Sequence, residues 1–506
     1  MNLVFARKNN IRKLDMRKFL LFTMGLLLNL SALSAESEKI QYPIANADYP
    51  KVVGAWETLV SRVEFAPFNL FVSIIFFCAI IHTFCYGKFL NLSKHFEEKA
   101  LLETGKKRSK KHAIFLAELF HLLGEVEAIF ALWLVPLFIG FGFTYGWNDL
   151  TAYLDKLTFA DAKYVEPVFV VVVMCVASTR PLIQLSGDII NLFARLGKGR
   201  IWAWWVSILI VGPLLGSFIT EPAAITICAT LLVEKFYSFN PSMKFRYATL
   251  GLLLVAISVG GTLTHFSAPP VLMVATAWDW GMPFMLANFG WKAILAVIIS
   301  VSIYGIFFRK EFAKMQMVAD RKLEKLGEVN RVEWKIVLVH VGFLIFIVHS
   351  LHHPALFIFA FLLFLAFVNA TRQHQYNVDI KMPLLVGLFL ASLVTHGSLQ
   401  SWWIEPILGN FGEAETYIGS MILSAFNDNA LITYLATLAP EFTSQMKYLI
   451  VAGAVSAGGL TIIANAPNPA GVAILKKHFG AQLSPLKLFY GAILPTIIVS
   501  IIFFFF

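Results

Sequence analysis

Gly216-Ser217-Phe218-Ile219-Thr220-Glu221-Pro222 interrupts an apolar stretch over 201–236, and Ser424-Ala425-Phe426-Asn427-Asp428-Asn429 interrupts another over 411–439. How the backbone runs at these two breaks sets the architecture. A chain in lipid must satisfy its backbone amides and carbonyls internally, so spanning segments of this kind are helices. Irregular backbone at membrane depth is tolerated only where protein buries it or where it lines a cavity. The first stretch is basic at both ends, with Arg200 before it and Lys235, Lys244 and Arg246 after it. It therefore reads as a re-entrant hairpin from the cytoplasm, the other reading being two short ordinary spans. The second stretch has acidic flanks, Glu405, Glu413, Glu415 and Glu441, and by the same loop-charge rule it enters from outside.

Each hairpin precedes a helix broken at its centre. The segment 247–278 breaks at Gly260-Gly261-Thr262-Leu263-Thr264-His265-Phe266-Ser267-Ala268-Pro269-Pro270. The segment 446–475 breaks at Gly458-Gly459-Leu460-Thr461-Ile462-Ile463-Ala464-Asn465-Ala466-Pro467-Asn468-Pro469. Paired glycines and prolines do not continue a helix. The hairpins align without gaps: Glu221 matches Asp428, Thr226 matches Thr433 and Thr230 matches Thr437. In the broken helices, Ser267-Ala268-Pro269 matches Asn465-Ala466-Pro467. Interrupted segments at corresponding positions of two halves point to a transporter binding site. The expected fold is an all-α polytopic membrane protein of two inverted-topology repeats, each with a re-entrant hairpin and a discontinuous transmembrane helix.

Composition agrees. The chain is 58% hydrophobic and 14% charged, with mean hydropathy +0.71, enough for about ten helices of ~20 apolar residues. These runs are too long and too uniformly apolar for barrel strands. The formal net charge of +10 sits in short loops between apolar runs, a positive-inside pattern, so no nucleic-acid partner is expected. Cys78, Cys85, Cys175 and Cys228 lie in apolar segments without metal-type pairing and read as packing residues.

At the start, Arg7, Lys8, Arg12, Lys13, Arg17 and Lys18 precede an apolar core over 19–33 and the small residues Ser31, Ala32, Ser34 and Ala35. That is the order of a secretory signal, or else of an uncleaved anchor. The expected division is 1–35 for this leader and 36–111 for a periplasmic segment, first span and basic cytoplasmic loop. Transport repeat 1 then covers 112–308, a cytoplasmic connection and linking span 309–353, and transport repeat 2 354–506. Within repeat 1, 112–145 reads as one long tilted helix and 167–186 as one span.

Asp428, an aspartate between two asparagines deep in an apolar hairpin, is costly to bury. It is the main candidate for an exchanging carboxylate, with helix capping as the structural alternative. Glu221 is its repeat mate, and Pro222 beside it suits a helix's first turn. Burial disfavours the charged form of a carboxylate, so one such group can hold a proton or a cation in turn. Thr220, Asn427, Asn429, Thr262, Thr264, Ser267, Asn465 and Asn468 offer further oxygens of the kind hard cations favour. The ends of the half-helices add dipoles. Glu118, His121 and Glu125 fall on one face at helical spacing, with Glu127 close by. They read as a proton relay or metal site, or as a polar face against another helix or a cytoplasmic extension of this long helix. His265 lies in the first break and can titrate near neutrality, or is a satisfied interior residue.

The motifs Leu122-Leu123-Gly124-Glu125-Val126-Glu127-Ala128, Thr220-Glu221-Pro222-Ala223, Gly260-Gly261-Thr262-Leu263-Thr264-His265 and Asn427-Asp428-Asn429-Ala430 resemble the ion-transporter superfamily. This group includes arsenite and dicarboxylate carriers, and the bacterial sodium/proton antiporters look most similar. The resemblance covers roughly 113–506. It implies two inverted repeats, commonly in a homodimer. The dicarboxylate carriers resemble one another through Ser-Asn-Thr at both hairpin tips. Here the tips read Ile219-Thr220-Glu221-Pro222 and Phe426-Asn427-Asp428-Asn429, and fixed carboxylates there would repel a dianion.

The expected function is exchange of sodium, or another monovalent cation, for protons across a bacterial inner membrane. The partners are then sodium ions, protons and the bilayer. No enzymatic activity, cofactor or metal beyond sodium is expected. The alternatives are a cation-coupled carrier of a small anion, such as a dicarboxylate or arsenite, and, further off, a membrane-embedded metalloenzyme built on Glu118, His121 and Glu125.

Overall fold

The structure is a computed structural model that describes residues 42–102, 107–320, 331–374, 378–408, 411–439, 442–480 and 483–506. The leader over 1–35, Lys106, Glu441 and the middle of the charged connection lie outside the described residues. The chain is all-helical. Among the described residues seven helices are long and apolar enough to cross a membrane, or up to nine if each of two bent pairs is one span. Exposed Leu70, Ile81, Ile306, Ile345, Phe359 and Ile501 give these helices apolar outer faces. Lipid would cover such faces, and water would not. The chain is a multi-pass membrane protein.

Two packed bodies organise the helices. The first contains α1 (Phe68–Leu102), α2 (Lys107–Leu123), α3 (Val126–Tyr145), α4 (Val165–Ala177), and, from later in the chain, Trp334–His349, Pro354–Ala370 and Lys381–Gly397. Its core includes Phe76, Phe130, Phe169, Phe357, Phe364 and Leu390. Helix α5 (Arg180–Leu196) leads out of it and packs on the first hairpin.

The second body holds the broken elements. The first hairpin is α6 (Ile201–Ile219) and α7 (Glu221–Lys235), and the first broken helix is α8 (Met243–Gly260) and α9 (Pro269–Ala275). Helix α10 (Trp291–Phe307) follows. In the first body, α11 (Trp334–His349), α12 (Pro354–Ala370) and α13 (Lys381–Gly397) continue into α14 (Ser401–Leu408). The second hairpin is α15 (Glu413–Phe426) and α16 (Asn429–Ala436). The second broken helix is α17 (Ser444–Ala457) and α18 (Asn468–Leu475), and α19 (Pro485–Phe505) ends the chain.

The chain reverses at one residue in the first hairpin. A methyl on Gly212 would meet Cys228, and one on Gly216 would meet Ala224; both pairs are centred on Thr220. Thr220 itself has φ 73° and ψ 149°, a conformation that costs a β-branched residue about 1–3 kcal/mol. By length α6 and 221–239 could each cross a membrane, whereas the arms of the second hairpin have 14 and 8 residues. The second arm of each hairpin packs on the terminal half of the other broken helix: α7 lies against α18, and α16 against α9.

Two readings of 112–196 are corrected. The run 112–145 is not one helix: α2 ends at Leu123, and α3 starts at Val126 after the turn at Gly124. Glu125 therefore leaves the helix that carries Glu118 and His121. The span read over 167–186 is bent by 69° between α4 and α5. Pro181 is tolerated there because it stands in the first turn of a new helix. The pair α13 and α14 bends similarly, by 76°.

Helix α8 crosses α19 with the two backbones in contact. A methyl built on Gly251 would lie 2.3 Å from the carbonyl carbon of Gly491. Overpacking of this kind costs about 1–3 kcal/mol. Gly251→Ala is expected to lower the melting midpoint of the detergent-solubilised protein. Gly342→Ala, with nothing within 4 Å of the added methyl, is expected not to.

Candidate functional site

Hydroxyl groups sew each hairpin tip to its neighbouring break. Ser217 Oγ donates to Gly260 O at 2.6 Å and accepts from Leu263 N at 2.9 Å. Thr264 Oγ1 donates to Ser217 O at 2.6 Å, and Ser267 Oγ donates to Gly216 O. Thr262 Oγ1 caps its own turn through Val259 O at 2.7 Å. The second tip is held in a related way. Ser424 Oγ donates to Ala454 O at 2.8 Å, and Thr461 Oγ1 donates to Ala425 O at 2.8 Å.

Asp428 is the N-cap of α16, with Oδ1 accepting from Ala430 N at 2.9 Å. Asn429 N donates to Ala464 O at 3.1 Å, and Asn429 Nδ2 lies 3.5 Å from Ser258 Oγ. Asn468 braces the second break by donating Nδ2 to Gly458 O at 2.8 Å and to Thr461 O at 3.0 Å. Its backbone N–H reaches Asn465 O at 3.0 Å.

Contacts between the halves include Ser258 Oγ, which donates to Val455 O at 2.8 Å, and one that reaches a tip carboxylate. Asn465 Nδ2, in the second break, donates to Glu221 Oε2, at the first tip, at 2.9 Å. Both residues are fully buried, as are Asn429, Asn468, Thr262 and Thr264, and Thr220 nearly so. Among the described residues neither Glu221 nor Asp428 takes part in an ion pair. Five buried oxygens of this set have no hydrogen-bond partner: Thr220 Oγ1, Glu221 Oε1, Asn429 Oδ1, Asn465 Oδ1 and Asn468 Oδ1. Buried acceptors are normally satisfied. Unsatisfied buried oxygens at the tips and breaks, including those of Glu221 and its hydrogen-bond partner Asn465, with no cation of the protein's own paired to the carboxylate, have the chemistry that a hard cation takes.

The remaining sequence candidates fall elsewhere. Asn427 is half-buried and donates to Leu423 O at 3.4 Å, closing the end of α15. His265 is half-buried with its ring edge on Phe266, and its Nδ1 has no partner. Glu118 is exposed on α2. His121 is 52% exposed in its side chain, with Nδ1 3.4 Å from Glu125 Oε2. Among the described residues no group of three or more His, Cys, Asp or Glu is placed to hold a metal.

The structure also brings in residues not singled out from the sequence. Ser217, Ser258 and Ser424 position the tips; a serine at matching points of both hairpins, Ser217 and Ser424, was the available signal. Glu127, in the first turn of α3, is 6% exposed and lines a cavity with Asp428 and Asn465. The turn at Gly124 hides its role from helical-periodicity arguments.

A family model described as "Putative Na+/H+ antiporter" matches residues 67–506. No curated protein matches the chain.

Asn465→Ala removes the amide that joins the two halves and leaves both Glu221 oxygens without a donor. An unsatisfied buried group of this kind costs about 1–3 kcal/mol. The variant is expected to melt measurably below the wild type in sodium-free detergent solution, and an unchanged midpoint would show that the bond does not hold the halves together.

Proposed function

The chain belongs to the family described as putative Na+/H+ antiporters, and from that premise we propose that it exchanges sodium for protons across the bacterial inner membrane. The observation that carries this reading is the set of five unpartnered buried oxygens on Thr220, Glu221, Asn429, Asn465 and Asn468, residues of the hairpin tips and the second break, with no ion pair to either tip carboxylate among the described residues. An unpaired charge in such an interior is too costly to stand alone. Each carboxylate is therefore neutral when it holds a proton and compensated when it holds a cation, and the two ligands exclude each other. That exclusion couples the flows: the empty, charged site is disfavoured, so the site crosses loaded with one ion or the other.

Asp428 is the main exchanging carboxylate and Glu221 its partner. Thr220, Asn427, Asn429, Thr262, Thr264, Ser267, Asn465 and Asn468 are the pool of oxygens around them. The exchange of second arms between the two units, and the similar bends at α4–α5 and α13–α14, support two inverted repeats. In that arrangement the breaks meet near mid-membrane and opening alternates between faces. A homodimer is the assembly we expect. Two acidic tips disfavour a carrier of dianions.

Asp428→Asn separates charge from architecture, because asparagine caps a helix about as well as aspartate. In proteoliposomes with an imposed pH gradient, sodium is expected to dissipate the gradient with wild-type protein. Asp428→Asn, with a normal melting midpoint, is expected to reduce that flux to the protein-free level, and Glu221→Gln to do the same. If sodium, lithium and potassium all leave the wild-type gradient intact, exchange is the wrong function.

A further inference from the structure

A small cavity lies where the two helical bodies meet. Thr83, Glu127 and Phe130 of the first body line it on one side, and Asn427, Asp428 and Asn465 of the second body on the other. No basic side chain is among the described residues that line it. Lys381 and Glu125 are the other charges near Glu127, and neither lines the cavity.

Both acids stand at helix N-termini. Glu127 is in the first turn of α3, and Asp428 caps α16. The positive ends of those helices favour carboxylates over neutral groups. Like charges facing each other across an apolar-walled gap repel, so the pair is relieved either by a proton on one acid or by a cation between the two. A further oxygen is available there: Asn465 is fully buried, its Nδ2 is committed to Glu221, and its Oδ1 has no partner.

We infer that Glu127 is a cation-binding residue, forming with Asp428 and the Asn465 amide oxygen a locus for a monovalent alkali cation at the boundary between the two bodies. The inference rests on the exchange function proposed above and adds a third carboxylate to it. Asn465 joins this locus to the one at Glu221, because its nitrogen faces one and its oxygen serves the other. Two carboxylates and one amide supply fewer oxygens than the six to eight that calcium takes, which favours a singly charged ion that keeps part of its water. The locus is made by residues of both sets of helices, which share one apolar core at Leu272, Leu431 and Tyr434.

The test is equilibrium binding of radiolabelled sodium to the purified full-length protein, comparing wild type, Glu127→Gln and Glu127→Asp. The expected result is at least a tenfold loss of sodium affinity in Glu127→Gln and a smaller loss in Glu127→Asp, each with a wild-type melting midpoint in sodium-free buffer. Wild-type affinity in Glu127→Gln overturns the inference, and so does calcium binding more tightly than sodium. A readout on the unaltered protein covers the case of a variant that does not fold. Sodium, and not choline, is expected to protect Glu127 from carbodiimide labelling read by mass spectrometry, and labelling indifferent to sodium overturns the inference equally. If sodium binding depends on Glu127 while no cation dissipates a pH gradient, the locus stands and exchange falls. If exchange stands and Glu127→Gln binds sodium normally, the locus alone falls.

Discussion

The structure turns on one constraint: a helix broken in a low-dielectric interior must find partners for every group the break releases. Four helical elements are broken here, and serine and threonine hydroxyls meet most of the demand. Ser217 and Thr264 close the first tip, and Ser424 and Thr461 the second. These hydroxyls donate to carbonyls that the helix ends leave free. Left without partners at the tips and the second break are the side-chain oxygens Thr220 Oγ1, Glu221 Oε1, Asn429 Oδ1, Asn465 Oδ1 and Asn468 Oδ1.

The same constraint explains the reciprocal packing. Each hairpin's second arm packs on a helix of the other unit as well as within its own. Helix α7 takes α18 as its partner and α16 takes α9, so neither unit completes its core without the other. The Asn465–Glu221 bond is the polar counterpart of that exchange. A change at one tip is felt at the opposite break.

The first body is anchored differently. Arg62 is buried, donates Nη1 to Trp402 O at 2.7 Å, and pairs with Glu405 at 3.0 Å. Ser73 Oγ donates to Gln400 Oε1 at 2.7 Å and accepts from Trp402 Nε1 at 3.1 Å. These bonds tie the start of the described chain to the bend between α13 and α14. The anchor at Arg62 stands just before the region matched by the family, and it steadies the body from which Glu127 faces Asp428.

The sequence by itself determined the elements whose cause is local. Runs of apolar residues specify helices. Gly-Gly and Pro-Pro end them. A carboxylate beside proline or asparagine marks a half-helix start, so the breaks at Thr220, Gly261, Asp428 and Gly459 were legible in the residues alone. Only the tertiary structure decided what those breaks face. That Asn465 donates to Glu221 rather than to its own tip depends on how two distant units pack, which no local propensity encodes. The place of Glu127 depends on helix phase. A single helix through 112–145 groups Glu125 with His121, a pair that survives at 3.4 Å on the half-exposed side of the turn, but the turn at Gly124 resets the rotation and puts Glu127 in the cavity with Asp428. Side-chain spacing reports a face only as long as the helix is unbroken, and here the buried polar residues gather where helices break.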